Sequence, residues 1–247
     1  MIPPARIALL ALVLLFAASG CATLPAARPL DPGHHEIGLS LGGPVLQLGG
    51  SALPIPLMNL QGRHGLPQLA KRNIDLTYGL NLIGLPFGIL QGHVGMGWML
   101  IEQRGAAPAF TISDKQFFAT NALGLARKPA AKAEGWGANQ VGIDFSWEIH
   151  RQVIYAGLTQ YFDFGNPALT LTPSFGAVFD TSPETDGGLK MHVDFRWFAI
   201  NQTDRYDAIR WFPRPQGAFG FGVGLSYVFG AGANRKPEVP TTGGMGS

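Results

Sequence analysis

Apolar residues recur at every second position along several stretches of this chain. In 141–149 (VGIDFSWEI), Val141, Ile143, Phe145, Trp147 and Ile149 alternate with Gly142, Asp144, Ser146 and Glu148. A strand points successive side chains to opposite faces, so this segment predicts a strand with one apolar and one polar face. The pattern returns in 189–197, where Leu189, Met191, Val193, Phe195 and Trp197 oppose Lys190, His192, Asp194 and Arg196. In 219–229, apolar Phe219, Phe221, Val223, Leu225, Tyr227 and Phe229 alternate with Gly220, Gly222, Gly224 and Ser226. In 74–82, Ile74, Leu76, Tyr78, Leu80 and Leu82 alternate with Asp75, Thr77, Gly79 and Asn81. Weaker alternation marks 36–48, 55–63, 88–101, 110–124, 153–164 and 168–179. The total is about ten strands, with eight to twelve compatible, and their lengths approach the ~9–11 residues that a tilted membrane strand needs. Pro44, Pro54 and Pro56 weaken the first two, and 110–124 alternates poorly.

The connections are uneven. Segments 125–138 (LARKPAAKAEGWGA) and 201–217 (NQTDRYDAIRWFPRPQG) read as long loops. His150-Arg151-Gln152 and Gly165-Asn166-Pro167 read as tight turns, whereas 65–72 and 102–109 read as intermediate. Residues 76–101 lack Asp, Glu, Lys and Arg, which raises a transmembrane helix as a rival. Six glycines and Pro86 interrupt that window, and Asn81, Gln91 and His93 keep strand parity. A hairpin turning near Gly84–Gly88 fits better.

Composition narrows the class. Only 14% of residues are charged while 46% are hydrophobic, which excludes a disordered polyelectrolyte. Glycine supplies 34 of 247 residues, which argues against a helical bundle because interior glycine destabilises helices. The formal net charge of +2 leaves no footprint for nucleic acid. Cys21 is the single cysteine, so no disulfide forms within the chain. Its context explains it: Arg6 precedes the apolar run Ile7–Ala17, and the small residues Ala18, Ser19 and Gly20 lead into Cys21. This resembles the lipobox of bacterial lipoproteins. The resemblance implies a signal peptide at 1–20, cleavage before Cys21, acylation of that thiol and a tether at 21–34. Ala22 is compatible with sorting to the outer membrane. The apolar run is too short to span a bilayer itself.

Period two alone does not say which face is buried. A soluble barrel puts its apolar face inside, and a membrane barrel inverts this. The polar faces here are rich in Gly, Ser, Thr and Asn, and the charge content is too low to clothe a solvent-facing sheet. Trp98, Trp147, Trp197, Tyr227 and Phe229 stand near strand ends on the apolar faces, where interfacial aromatics collect. Residues 222–229 (GVGLSYVF) resemble the terminal-strand signal of bacterial outer-membrane β-barrels through Gly224, Tyr227 and Phe229. Gly222 replaces a large polar residue of that signal, and eighteen residues follow Phe229 where the family usually stops. The expected fold is all-β: an up-and-down antiparallel transmembrane barrel over 35–230, with a disordered tail at 231–247. The resemblance implies the outer membrane and its lipid as surroundings, with the last strand offered to the assembly machinery.

Candidate chemistry is sparse. Phosphate loop, nucleophile elbow, HExxH and EF-hand motifs are absent, no cofactor or metal is indicated, and Gly220–Gly224 lies on a strand rather than at a strand-to-helix turn. The ionisable set sits on the polar faces: Asp75, His93, Asp144, Glu148, Lys190, His192, Asp194 and Arg196. Same-face neighbours on a strand lie about 6.6 Å apart, so Lys190, His192, Asp194 and Arg196 form an alternating ladder. A narrow lumen filled by self-neutralising side chains accounts for this set. A selectivity ladder in a pore and a catalytic His192–Asp194 pair are the sharper alternatives. Asp144 and Glu148 lie about 13 Å apart along their strand, too far for a glycosidase pair. The loops add Arg127, Lys128 and Lys132 against Glu134, and a mixture of arginines, Tyr206, Trp211 and Phe212. Three readings follow. One is a lipid-anchored outer-membrane barrel with a structural, surface-interaction or narrow-pore role. Another is an outer-membrane hydrolase of lipid or peptide using His192 and Asp194. The last is a lipocalin-like barrel anchored on the periplasmic face and holding an apolar ligand.

Overall fold

A computed structural model describes residues 27–48, 51–54, 57–121, 134–181, 187–201 and 217–230. The leader with Cys21, the tail 231–247 and the loop positions 122–133 and 202–216 lie outside the described residues. The described strands are β1 (His34–Leu48), β2 (Ser51–Pro54), β3 (Leu57–Leu69), β4 (Arg72–Asn81), β5 (Leu90–Ile101) and β6 (Ala109–Thr120). They continue with β7 (Gly135–Ile149), β8 (Gln152–Asp163), β9 (Asn166–Asp180), β10 (Gly188–Phe198) and β11 (Ala218–Gly230).

Each strand pairs antiparallel with its neighbour in an up-and-down order, and β1 pairs with β11 from His34↔Gly230 to Pro44↔Gly220. That last seam closes the sheet into a ring, which removes the two free edges an open sheet would present. Short β2 pairs only with Val45–Leu48 of β1, beyond the last bond of β1 to β11. The ring therefore contains ten of the eleven described strands. The prolines that weaken the first alternation mark this side hairpin: Pro44 ends the β1–β11 ladder and Pro54 ends β2.

The barrel is inside out relative to a soluble protein. Ile37, Leu39 and Leu41 of β1 and Phe221, Val223 and Leu225 of β11 are exposed on the outer wall. Glu36, Gln61, Arg63, Asp75, His93, Lys115, Asp144, His192 and Asp194 are buried inside. Rings cover the wall in cross-strand ladders, with Phe175–Phe195 centroids at 5.0 Å and Phe110–Phe145 at 5.2 Å. An apolar outside around a polar inside, in a closed ring of strands, is the architecture of a transmembrane barrel. No helix among the described residues is long and apolar enough to cross a membrane. The charge-free stretch 76–101 forms β4, a 3-10 turn at Leu85–Phe87 and β5. Gly88 closes that turn at φ 76°, a left-handed conformation that glycine adopts without strain.

Three expectations need correction. Strand β7 begins at Gly135, so the long connection does not extend to 138, and Glu134 already hydrogen-bonds Asn121 at its base. Strand β3 runs to Leu69, so 65–72 is mostly strand and its turn is only Ala70-Lys71. Strand β6 does alternate. Thr111, Lys115, Phe117 and Ala119 point inward, opposite Phe110, Asp114, Gln116 and Phe118. Its parity was obscured because an aromatic faces the lumen and two polar groups face out.

The turns at the N-terminal rim are tight. Ala70 and Lys71 have φ 52° and 62°, and His150 and Arg151 have φ 49° and 66°. Paired left-handed residues match the right-handed twist of the strands they join. Neither turn uses the Asn-Gly that favours this shape, so each holds non-glycine residues in a costly region. Replacing Lys71 by Gly is expected to raise stability by about 1 kcal/mol, read as a higher urea midpoint of the micelle-folded protein with an unchanged m-value.

Candidate functional site

Arg63 of β3 is the centre of the lumen. Its Nε donates to Asp75 Oδ2 at 2.9 Å, Nη2 to the same oxygen at 2.5 Å, and Nη1 to Glu36 Oε2 at 2.8 Å. Asp75 comes from β4 and Glu36 from β1, so one guanidinium ties three strands together. Asp75 is 0% exposed, and Glu36 and Arg63 are buried with it. Glu36 Oε1 also lies 3.5 Å from His192 Nε2. His192 Nε2 stands 2.7 Å from Ser226 Oγ on β11.

A second group forms further along β10, against β8. The Tyr155 hydroxyl donates to Asp194 Oδ1 at 2.6 Å, and Arg196 Nε donates to Asp194 Oδ2. Tyr155 is able to lie flat because β9 carries Gly176 beside it; a Cβ there would overlap both the Tyr155 hydroxyl and the Val193 carbonyl. Lys115 and Asp144 are buried inward on β6 and β7. Toward the far rim the lining turns aromatic. Tyr161 lies 6.0 Å from Phe117 and stacks on Trp136 at 6.2 Å, measured between ring centroids. His93 packs on Phe117 from the adjacent strand.

The N-terminal mouth is crossed by the chain's own segment Ala27–Leu30. Arg63 Nη2 donates to the Arg28 carbonyl at 2.5 Å, and Thr111 Oγ1 donates to the Ala27 carbonyl at 3.0 Å. The Leu30 amide faces Asp75 Oδ2 at 3.4 Å. Arg28 reaches β7, pairing with Glu148 at 2.7 Å and donating to Ser146 Oγ at 3.1 Å and to Gln103. Burial lowers the pKa of Arg28 from the ordinary arginine value, and the Glu148 carboxylate opposes that shift. The strap passes so close over β3 that a Cβ on Gly65 would overlap the Asp31 carbonyl. Ala27 is 2% exposed, within the range of the barrel's buried apolar residues. Beside the strap a cavity of about 420 Å³ remains, lined by Leu30, Glu36, Arg151, Asp180, Lys190 and His192 among others.

The residues singled out from sequence separate into distinct environments. Asp75, His93, Asp144, His192 and Asp194 are buried in the lumen, and Arg196 is nearly so. Glu148 and Lys190 lie at the N-terminal mouth, one on the strap and one on the cavity. His192 and Asp194 share a face but do not bond each other. Asp194 is occupied by Tyr155 and Arg196, while Ser226 and Glu36 both approach His192 on the same Nε2. A proton relay requires the acid on the ring nitrogen opposite the hydroxyl, and His192 Nδ1 has no hydrogen-bond partner among the described residues. Trp98, Trp147, Trp197, Tyr227 and Phe229 occupy outer-wall positions; Trp147 Nε1 donates to the Ala106 carbonyl at the rim. Sequence reading missed Arg28, Glu36, Arg63, Lys115, Tyr155 and Ser226. Strand parity, carried to the ends of the weak segments, would have found four of them. Nothing local marks Arg28 as a lumen residue. Among the described residues, no group of three or more His, Cys, Asp or Glu is placed to hold a metal ion.

Fold and lumen together define a ten-stranded transmembrane barrel with a filled polar interior. Neither a family model nor a curated protein matches the sequence. Among solved structures, the translocator domain of the autotransporter NalP from Neisseria meningitidis aligns over 81% of this chain and 89% of its own, at 10% identity and a TM-score of 0.39. The attachment invasion locus protein Ail of Yersinia pestis, in complex with the heparin analogue sucrose octasulfate, aligns over 80% of this chain and 99% of its own, at 12% identity and a TM-score of 0.28. Ail without that ligand aligns over the same shares at 10% identity and a TM-score of 0.25. These are distant likenesses, and the description of the barrel rests on its own wall and lumen.

Replacing Arg63 by Ala is expected to destabilise the barrel by about 3–5 kcal/mol, because Glu36 and Asp75 stay buried without their cation. The triple change Arg63→Met, Glu36→Leu, Asp75→Leu should cost far less. Urea unfolding in micelles, followed by tryptophan emission, compares the two.

Proposed function

We propose that this chain is a lipid-anchored outer-membrane barrel whose lumen is a packed core, closed at its periplasmic mouth by its own N-terminal strap. Its role is structural and surface-interacting rather than that of a wide channel. The observation that carries this reading is the strap: Ala27–Leu30 is held inside the barrel by hydrogen bonds from Arg63 and Thr111 and by the Arg28–Glu148 pair. A segment bound that way is part of the fold rather than a free linker.

The strap also supports the anchor. Cys21 lies six residues before Ala27, and an extended chain covers at most about 3.3–3.6 Å per residue. Some 20 Å of chain is enough to reach from the mouth to the adjacent leaflet. Acyl chains on Cys21 and the strap would then hold the same rim from two sides, and multiple acyl chains give stable attachment. Strand β11 would present its aromatic outer face, with Tyr227 and Phe229, to the assembly machinery.

A narrow pore is the second reading, favoured by the cavity beside the strap. The hydrolase reading draws no support from the bonding of His192 and Asp194. A lipocalin-like store for apolar ligands fits poorly with a lumen centred on Arg63, Glu36 and Asp75.

Planar-bilayer recording separates the first two readings. The full acylated protein is expected to insert and remain electrically silent, and so is a variant lacking residues 22–30, because the charged core persists. Steady currents from the intact protein would overturn the closed reading. Currents that appear only after strap deletion would make the strap a gate. Replacing Cys21 by Ser should abolish palmitate labelling while leaving the heat-modifiable gel shift of a folded barrel.

A further inference from the structure

Two polar groups interrupt the described outer wall: His35 and His64 beside the N-terminal rim, which bond each other and the Tyr78 hydroxyl, and a larger set on β6–β8. Asp114 and Gln116 of β6, Asn139 of β7 and Gln160 of β8 all point outward. The ladders bring them together. Gln116 pairs in register with Asn139, while Asp114 and Gln160 flank Val141 on its two neighbouring strands. Asn139 Nδ2 donates to Asp114 Oδ1 at 2.5 Å. Asp114, Gln116 and Gln160 are exposed, and the amides of Gln116 and Gln160 have no hydrogen-bond partner among the described residues.

This patch does not lie at a rim. Phe118 and Phe164 stand on its far-rim side, both exposed, and Ile112, Ile143 and Leu158 stand on the other. Val94, Met96 and Leu171 close it laterally. It is therefore an island of one carboxylate and three amides inside the apolar band. Hydrocarbon offers such groups no partners, and leaving them unsatisfied there is costly. On the diametrically opposite wall, β11 with β1, the one polar side chain described on the outer face is His35 at the N-terminal rim, already bonded to His64, and Ile37, Leu39, Leu41, Phe221, Val223 and Leu225 face outward above it.

Resting on the membrane-barrel reading, we propose that the β6–β8 wall is the face on which two copies of this chain pair in the membrane. All copies in one membrane insert in the same direction, so a second copy presents the same island at the same depth. A twofold axis along the membrane normal brings the two islands together as a self-complementary contact. Each side supplies amide N–H donors and carboxylate or amide acceptors, so the set satisfies itself without another chemistry. Hydrogen bonds of this kind join membrane segments elsewhere. The island holds no Lys or Arg, so it does not suit the phosphates of an anionic lipid.

Cross-linking in the native membrane tests the face. Val141 sits at the centre of the island and is 48% exposed. In the otherwise unchanged full chain, Val141→Cys treated with a short bismaleimide should give at least tenfold more dimer than Leu39→Cys on the opposite wall. The variant Asp114→Leu, Gln116→Leu, Gln160→Leu should keep its heat-modifiable shift and sediment in detergent as a monomer where the unmodified chain sediments as a dimer. The assignment is overturned if a heat-modifiable Val141→Cys cross-links no better than Leu39→Cys. A product whose mass is not twice the chain, or a triple variant that stays dimeric, overturns it as well. Loss of the heat shift in the unmodified chain would instead remove the membrane reading, and the pairing with it.

Discussion

A guanidinium sealed inside a narrow barrel must be met by acceptors and anions, since removing it from water unpaired would cost more than the fold can offset. Arg63 is in that position, and the lumen is organised around it. Glu36 and Asp75 meet its charge, Arg28 supplies a carbonyl, and His192 with Ser226 completes the far side of Glu36. Because these groups come from β1, β3, β4, β10, β11 and the strap, their register is fixed jointly. A one-residue slip of any of these strands would move its lumen residue to the wall. The charge network therefore specifies the closure of the barrel rather than merely filling it.

The wall obeys the opposite rule. Its ladders of Phe175, Phe195 and Phe219, with the aliphatic face of β1 and β11, have no water to avoid once they meet hydrocarbon. Stability then comes from the closed backbone ladder and the interior polar contacts, with side chains on the wall matching their solvent. This division explains why so few charges suffice for the chain. They are concentrated where low dielectric makes each pair strong, and where glycines such as Gly176 leave room for a neighbouring ring.

Much of this was legible along the chain. The strong alternations at 74–82, 141–149, 189–197 and 219–229 are β4, β7, β10 and β11, and the weaker ones match the remaining ring strands. Parity also placed Asp75, His93, Asp144, His192 and Asp194 on the inner face. Where parity was blurred, the site was lost. Lys115 was not assigned because Phe117 faces in and Asp114 faces out on the same strand. Arg63 and Glu36 fall at the ends of segments that proline and glycine made faint. The pairing of His192 with Asp194 looked natural from their spacing, yet each is bound by residues from other strands.

The sequence by itself determined the period, the approximate strand number and the inversion of apolar and polar faces, because a two-residue repeat and a low charge content are local properties. Only the tertiary structure decided which charges meet, since ion pairs join strands distant in sequence. It also decided that Ala27–Leu30 enters the barrel. Nothing in a short Pro- and Ala-rich stretch signals a lumen ligand until the Arg63 and Thr111 donors and the Glu148 carboxylate are brought to one mouth by the closing of β1 on β11.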